Sequence, residues 1–328
     1  MRRTCWNILF CFLVVLLIPP HASRAQNASL DSLERTMHGA KGKKKIQYLH
    51  QLSEGYHQQD NAQKSFDYAH RALELSKKEH HQTEAARAHL NLGIIYQTKG
   101  NYKEAGQHLQ KALKQFQKKG SDSLIAETFM QLGNNTFHLG NYKESIHFYQ
   151  KSLSHKKPSG DRLKIASLYN QLGNSYKQSD QFHKAYQYHQ KALKIYRSEQ
   201  DSSGYIQSLS LLGSLYWKKG KYDSAEYYFN QTLDLKEEIG DIDGKITTLN
   251  NRGIVLKNTG SYDKAIEYHQ KALSLAEKAE KKEPRSDIYN YLGNIHLKLR
   301  HFTRASTYYK QSLELRKELS DMSGMGDS

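Results

Sequence analysis

Asparagine is the residue type in this chain whose spacing points most directly to binding chemistry. Asn170 and Asn174 stand four residues apart in the stretch YNQLGNSY at 169–176. An asparagine side chain carries a hydrogen-bond donor and an acceptor, so it can pair with a peptide backbone whatever side chains that peptide bears. Neither packing nor solubility requires this residue type at two positions one helical turn apart. The pair therefore suggests that the protein binds an extended chain.

Five further stretches resemble this one, and all six share a central glycine that recurs every forty residues: Gly93, Gly133, Gly173, Gly213, Gly253 and Gly293. The positions three before and one, four and five after the glycine lie on one helical face. Amides there suit a peptide backbone, lysines suit acidic side chains or a terminal carboxylate, and an exposed tryptophan anchors an apolar residue. The candidate partner-binding residues are Asn134, Asn170, Asn174, Lys177, Trp217, Lys218, Asn250, Lys257, Asn290, Asn294 and Lys298.

A second interpretation of the asparagines stays open. Their amides can bond neighbouring helices and hold the spacing between repeats, without contacting any ligand. The two roles can coexist along one array.

The repeat that carries these residues predicts two helices per unit. Seven residues past each central glycine stands a second glycine, Asp180 or Arg300, and this position suits the left-handed end of a first helix, A. A second helix, B, follows with an aromatic residue, a small residue and a small-Leu pair in fixed register, as in Phe182, Ala185 and Ala192-Leu193. A degenerate copy of the repeat around Leu52 and Tyr56 brings the number of repeats to seven. Asp161, Asp201 and Asp241 stand where N-caps of the next helix A belong.

Glycine, aromatic, alanine and Ala-Leu at these offsets resemble the tetratricopeptide repeat, in its long forty-residue variety. The resemblance implies an all-α fold, a right-handed α-solenoid superhelix of seven helix pairs whose A helices line a concave, peptide-binding groove. It divides the chain into a signal peptide (1–25), an N-terminal linker (26–42), the array (43–318) and the start of an incomplete eighth repeat (319–328). Repeats that clamp acidic chaperone tails carry lysine three before the glycine. No repeat here does, so chaperone-tail binding is not predicted.

No motif in the chain predicts catalysis, and we expect no enzyme activity and no cofactor. The segment from Gly213 to Gly220-Lys221 has the wrong spacing for a phosphate-binding loop, and HExxH and GxSxG are absent. His189 and His269 share a B-helix position with Leu109, Tyr149, Phe229 and Tyr309, which predicts packing. His80-His81 lies in a predicted loop, and no metal site is expected.

The chain is basic, with a formal charge of +16, or 16 − 3 = +13 once the three arginines of residues 1–25 are removed. Many lysines stand near predicted helix ends, where cations complement the helix dipole, and the aromatics fall at packing positions. We therefore predict a peptide or protein partner and no nucleic acid. The positive net charge of the chain suits an acidic partner. The last repeat has no polar cap, so we also expect self-association through the C-terminal end.

The sequence thus predicts a non-enzymatic exported scaffold that binds a peptide or protein segment in its concave groove. The alternative is the sensory ectodomain of a truncated bacterial signalling protein, a histidine kinase or DNA-binding regulator, without its membrane helix and output domain.

Export is predicted by residues 1–25. Arg2 and Arg3 precede an apolar run from Ile8 to Ile18, which is too short to span a membrane. Ser23 and Ala25 then form a small-residue cleavage site. Both cysteines, Cys5 and Cys11, lie within this segment, so the exported protein is expected to contain no disulfide. The predicted location is periplasmic or secreted, with no integral membrane segment after cleavage.

We predict cleavage after Ala25, because the small residues at positions 23 and 25 suit the signal-peptidase subsites. N-terminal sequencing of the exported protein should begin at Gln26. Retention of Met1 in that protein would show that the segment is an uncleaved anchor.

Overall fold

The structure, a computed structural model, describes the backbone of residues 20–119, 121–155 and 161–325 and the side chains of 29–119, 121–155 and 161–319. Every element in these ranges is a helix. Most of the predicted signal peptide and both cysteines lie outside them. The helices are α1 Pro20–Gly39, α2 Gly42–Gln58, α3 Ala62–Lys78, α4 Gln82–Thr98, α5 Tyr102–Lys119, α6 Asp122–His138, α7 Tyr142–Ser154, α8 Arg162–Gln178, α9 Phe182–Ser198, α10 Ser202–Lys218, α11 Tyr222–Glu238, α12 Ile242–Asn258, α13 Tyr262–Lys278, α14 Lys282–Lys298 and α15 Phe302–Met325.

The helix boundaries confirm the predicted pairs of A helices (even numbers) and B helices (odd numbers from α3). Gly140 ends α6 at a φ of 78° and Gly260 ends α12 at 79°, a left-handed conformation that glycine adopts without strain. The side chains of Asp161, Asp201 and Asp241 accept hydrogen bonds from the backbone N–H groups three residues later, as N-caps do. The predicted caps are therefore confirmed.

The central glycine of each A helix is required by one side chain of the following B helix. This side chain, which we call the slot residue, comes sixteen residues after the glycine and lies directly against it. A Cβ added to Gly133 would come within 2.5 Å of the Tyr149 ring, and one added to Gly173 within 2.5 Å of the His189 ring. The slot residues are Leu109, Tyr149, His189, Phe229, His269 and Tyr309.

The described residues form two compact units, one up to residue 115 and one from residue 116 onward. In the first unit, α1 differs from expectation, because the segment predicted as a linker is largely helical. Leu30 and Met37 of α1 are buried in the core formed by α2 to α4. The hydroxyls of Tyr56 and Tyr68 both donate to Glu34 Oε1 at 2.7 Å, and these bonds lower the pKa of Glu34. Helix α1 therefore packs as a full member of this unit.

In the second unit, the core runs between successive helix pairs. Leu168, Leu172, Leu212 and Leu215 belong to one cluster, and Ile246 and Ile288 anchor another. Tyrosines stack in register beside the leucines: the rings of Tyr176 and Tyr188 lie 5.3 Å apart, and those of Tyr216 and Tyr228 lie 5.5 Å apart. Each A helix packs on its own B helix, and α6 also contacts α8, α8 contacts α10 and α12 contacts α14.

The end of the second unit also differs from expectation. Residues 319–325 do not start an eighth helix A, since α15 continues through them to Met325. The face of α15 that would contact a next repeat carries two exposed apolar side chains, Phe302 at 63% and Leu313 at 54%. Self-association through this end stays a prediction.

The slot packing predicts that Gly173→Ala destabilises the protein by about 1–3 kcal/mol, because the new Cβ would overlap the buried His189 ring. Urea unfolding measures the change. Gly39→Ala is the matched control, since no atom lies within 4 Å of a Cβ there. Equal unfolding midpoints for the two variants would contradict the proposed packing.

Candidate functional site

The candidate site in the second unit is the face of α6, α8, α10, α12 and α14 that carries the residues three before and one, four and five after each central glycine. We call it the A-helix face. Most of its side chains are half-buried, as expected for a wall that is open to solvent on one side. The slot residues lie directly behind it. Which polar groups of this face remain available to a ligand depends on the bonds that they make within the protein.

Asn170 uses its amide within the scaffold. Its Nδ2 donates to Ser208 Oγ on α10 at 2.9 Å, and its Oδ1 lies 3.0 Å from Nδ1 of the slot residue His189. Burial lowers the pKa of His189 to about 3, so the ring is neutral and its Nδ1–H is the donor in this pair. Asn170 is only 4% exposed. In this structure it joins three helices instead of facing an open groove.

Asn134 and Asn294 are bonded to slot tyrosines. The hydroxyl of Tyr149 donates to Asn134 Oδ1 at 2.8 Å, and that of Tyr309 donates to Asn294 Oδ1 at the same distance. Burial raises the pKa of Tyr149, so its hydroxyl stays protonated and able to donate. The polar slot residues therefore select which amide they use: tyrosine takes the asparagine one after the glycine, and His189 takes the one three before it.

Asn174 and Asn290 stand beside slot residues that bond the other asparagine of the pair, Asn170 for His189 and Asn294 for Tyr309. Both are half-buried and make no hydrogen bond within the described part of the chain, and Asn174 Oδ1 is buried without a partner. Asn250 stands three residues before Gly253, as Asn170 does before Gly173, and its slot residue is also a histidine, His269. Within the described residues, Asn250 Oδ1 and His269 Nδ1 are both buried without a hydrogen-bond partner.

Lys177 is the most buried cation of the site, at 9% exposure. Its Nζ donates to Ser214 Oγ on α10 at 3.0 Å. Burial, together with the nearby charge of Lys218, lowers the pKa of Lys177 to about 8. Lys218 reaches back to α8, where its Nζ donates to the backbone carbonyl of Lys177 at 2.9 Å and pairs with Asp180 at 3.0 Å.

The other predicted site residues lie further out on the same face. Trp217 is 37% exposed, a large area for an indole ring. Lys257 is half-buried and Lys298 is exposed. The structure thus separates the predicted set into Asn134, Asn170 and Asn294, which hold the scaffold, and the remaining members, whose role in binding stays a prediction.

Sequence reasoning missed one polar cavity in the first unit. It has a volume of about 340 Å³ and is lined by Gln47, His50, Gln51, Glu54 and Arg87 of α2 and α4. His50 is buried there, which lowers its pKa to about 4. The signal was present in the sequence, because His50 and Glu54 occupy the same two positions as Asn170 and Asn174.

Both predicted slot histidines are fully buried, which confirms their packing role. The described residues bring together no group of three or more His, Cys, Asp or Glu side chains that could hold a metal ion. Within the same ranges, no helix combines the length and the apolar character needed to cross a membrane.

The bonding pattern predicts opposite outcomes for two neighbouring asparagines. Asn170→Ala should cost about 1–3 kcal/mol of unfolding free energy, because it leaves His189 Nδ1 and Ser208 Oγ without their partner in a buried site. Asn174→Ala breaks no bond and should change stability by less than about 0.5 kcal/mol. Urea denaturation compares the two. A greater loss for Asn174→Ala would refute this division of roles.

Comparison with known proteins shows which family of repeats the chain matches. The tetratricopeptide repeat family model matches residues 44–118, 84–157, 124–198, 164–238 and 245–318. No curated protein sequence matches the chain.

Three solved structures share the architecture at low sequence identity. The apo form of the quorum sensor NprR from B. thuringiensis is 15% identical, with a TM-score of 0.70 over 90% of this chain and 84% of that one. The apo form of RapI is 16% identical, with a TM-score of 0.66 over 84% and 99%. A Rap protein complexed with competence and sporulation factor is 16% identical, with a TM-score of 0.63 over 90% and 81%. The TM-scores show that these proteins share the fold of this chain. The matched repeats show that the chain belongs to the tetratricopeptide repeat family, whose helix pairs form scaffolds for protein interaction.

Proposed function

We propose that this protein is an exported scaffold that binds an extended peptide or protein segment along the A-helix face of the second unit. The observation that carries the proposal is that Asn174 and Asn290 make no hydrogen bond within the described part of the chain, on a face where Asn134, Asn170 and Asn294 are bonded internally. A scaffold role accounts for Asn134, Asn170 and Asn294 but leaves these two without a purpose.

Hydrogen bonding explains why such amides favour a ligand. A half-buried amide without a protein partner depends on water for its hydrogen bonds, and the Oδ1 of Asn174 is buried from water as well. A peptide backbone offers both a donor and an acceptor at each residue, so it can satisfy the amides whatever its sequence. Asn174 and Asn290 lie on helices three A helices apart, which suits a long, extended ligand better than a compact one.

Structures with the same fold support a ligand-binding role. One of them is described as a quorum sensor, and another holds competence and sporulation factor. Their low identity transfers the architecture and not the ligand. The class of ligand proposed for this chain therefore rests on the amides, the lysines and Trp217 of its own A-helix face.

Export is part of the proposal and rests on the residue pattern of 1–25. The partner would then be a periplasmic or secreted peptide or protein. The formal charge of +13 left after cleavage, from 16 − 3, favours an acidic segment, since opposite charge accelerates encounter.

The test is affinity capture from the exported fraction with immobilised protein, followed by mass spectrometry of the bound peptides and titration of those identified. Asn174→Ala combined with Asn290→Ala should weaken the captured ligand tenfold or more while stability remains unchanged, because the lost contacts are to the ligand. The matched control is Asn230→Ala, a half-buried asparagine on the B helix α11. Equal affinity of the double variant and the unmodified protein, or an equal loss in the control, would contradict the proposal.

A further inference from the structure

We infer that Lys177 forms the centre of a carboxylate-binding subsite on the A-helix face, between α8 and α10. This inference rests on the proposed function, because it names the chemical group of the ligand that this part of the face takes.

Lys177 has no counter-ion among the described residues. An ammonium group has three donors, and the only hydrogen bond that the structure shows for Lys177 Nζ is the neutral one to Ser214 Oγ at 3.0 Å. Among the described residues, no carboxylate lies within 4 Å of it. A charge that is 9% exposed and has no opposite charge carries a desolvation cost that an anionic ligand would offset.

The charges next to Lys177 do not compensate it. Lys218 adds a positive charge from α10, but its own counter-ion is Asp180, at 3.0 Å. Lys218 is also held by the Lys177 carbonyl at 2.9 Å and by Gln178 Oε1 at 3.2 Å. This group of side chains therefore has one uncompensated positive charge, that of Lys177. A single charge matches a carboxylate better than a phosphate dianion, which normally requires several donors and cations.

The Lys177 side chain is available in its charged form. The pKa of Lys177 is lowered to about 8 by burial and by Lys218, and it remains above 7. Most copies are thus protonated at neutral pH, and a bound carboxylate would raise the pKa again. Trp217 occupies the same repeat position on α10 as Lys177 on α8 and exposes 37% of its surface. An apolar residue beside the acid could pack on this ring.

A buried lysine without a counter-ion predicts a trade between stability and binding. Lys177→Met keeps most of the side-chain volume and removes the uncompensated charge, so the free protein should become more stable and unfold at a higher temperature. Lys257→Met is the matched control, at the same repeat position on α12 but only half-buried. Its melting temperature should change little.

Binding is tested with three pentapeptides in the unmodified protein, followed through the side-chain NMR signal of Lys177, which Lys177→Met identifies. One peptide is blocked at both ends and has a central glutamate. The second has glutamine there and a free C-terminal carboxylate. The third has glutamine and both ends blocked. We expect at least one acidic peptide to shift the signal and to bind tenfold or more tightly than the neutral one, and to lose this advantage in Lys177→Met.

The three peptides distinguish the possible ligand groups. A response to the first peptide alone identifies an acidic side chain as the ligand group, and a response to the second alone identifies a chain terminus. The inference is wrong if neither acidic peptide shifts the signal at millimolar concentration, if the neutral peptide does so equally, or if inorganic phosphate binds more tightly than both. It is also wrong if a ligand captured by the A-helix face binds Lys177→Met with full affinity, in which case the proposed function still stands.

Discussion

The fold depends on one contact repeated in each of six helix pairs, a B-helix side chain placed directly on an A-helix glycine. No other residue leaves room for it, since even the Cβ of alanine would overlap the Tyr149 or His189 ring. The contact fixes how closely the two helices approach and which residues of helix A point to each side. Leucines and tyrosines on one side then form the core, and the other side remains as a wall of polar side chains.

The slot residue also determines the polar chemistry of that wall. The first and fourth of the six slots hold leucine or phenylalanine, and no asparagine lies three before or one after the glycines that face them. A tyrosine or histidine in the slot favours a polar partner, because burying an unpaired hydroxyl or imidazole is costly. Three of the four polar slot residues have such a partner, and His269 has none among the described residues. Asn134, Asn294 and Asn170 are those partners. Asn174 and Asn290 are not among these partners, and the proposed binding role rests on them.

The sequence was sufficient for the repeat, the helix boundaries, the aspartate caps and the burial of the slot histidines, because each follows from local chemistry in a fixed register. It was insufficient for α1, whose Leu30 and Met37 carry no repeat signature, and for α15, where Asp321 resembled the start of another helix. Within the site, the role of Asn170 could not be predicted, because its partner His189 is nineteen residues away on another helix. Likewise, the burial of Lys177 depends on α10.

The choice of amide by the slot residue has a consequence for how such a protein can diversify. The surface that would meet a ligand is displayed by the A helices, yet part of its pattern of free donors and acceptors is set from behind, by residues that a ligand never reaches. Exchanging histidine for tyrosine at position 189 would release one asparagine and engage the other without altering either of them. A single buried substitution on a B helix can therefore change which donors and acceptors the A-helix face leaves free for a ligand, while the exposed sequence stays the same.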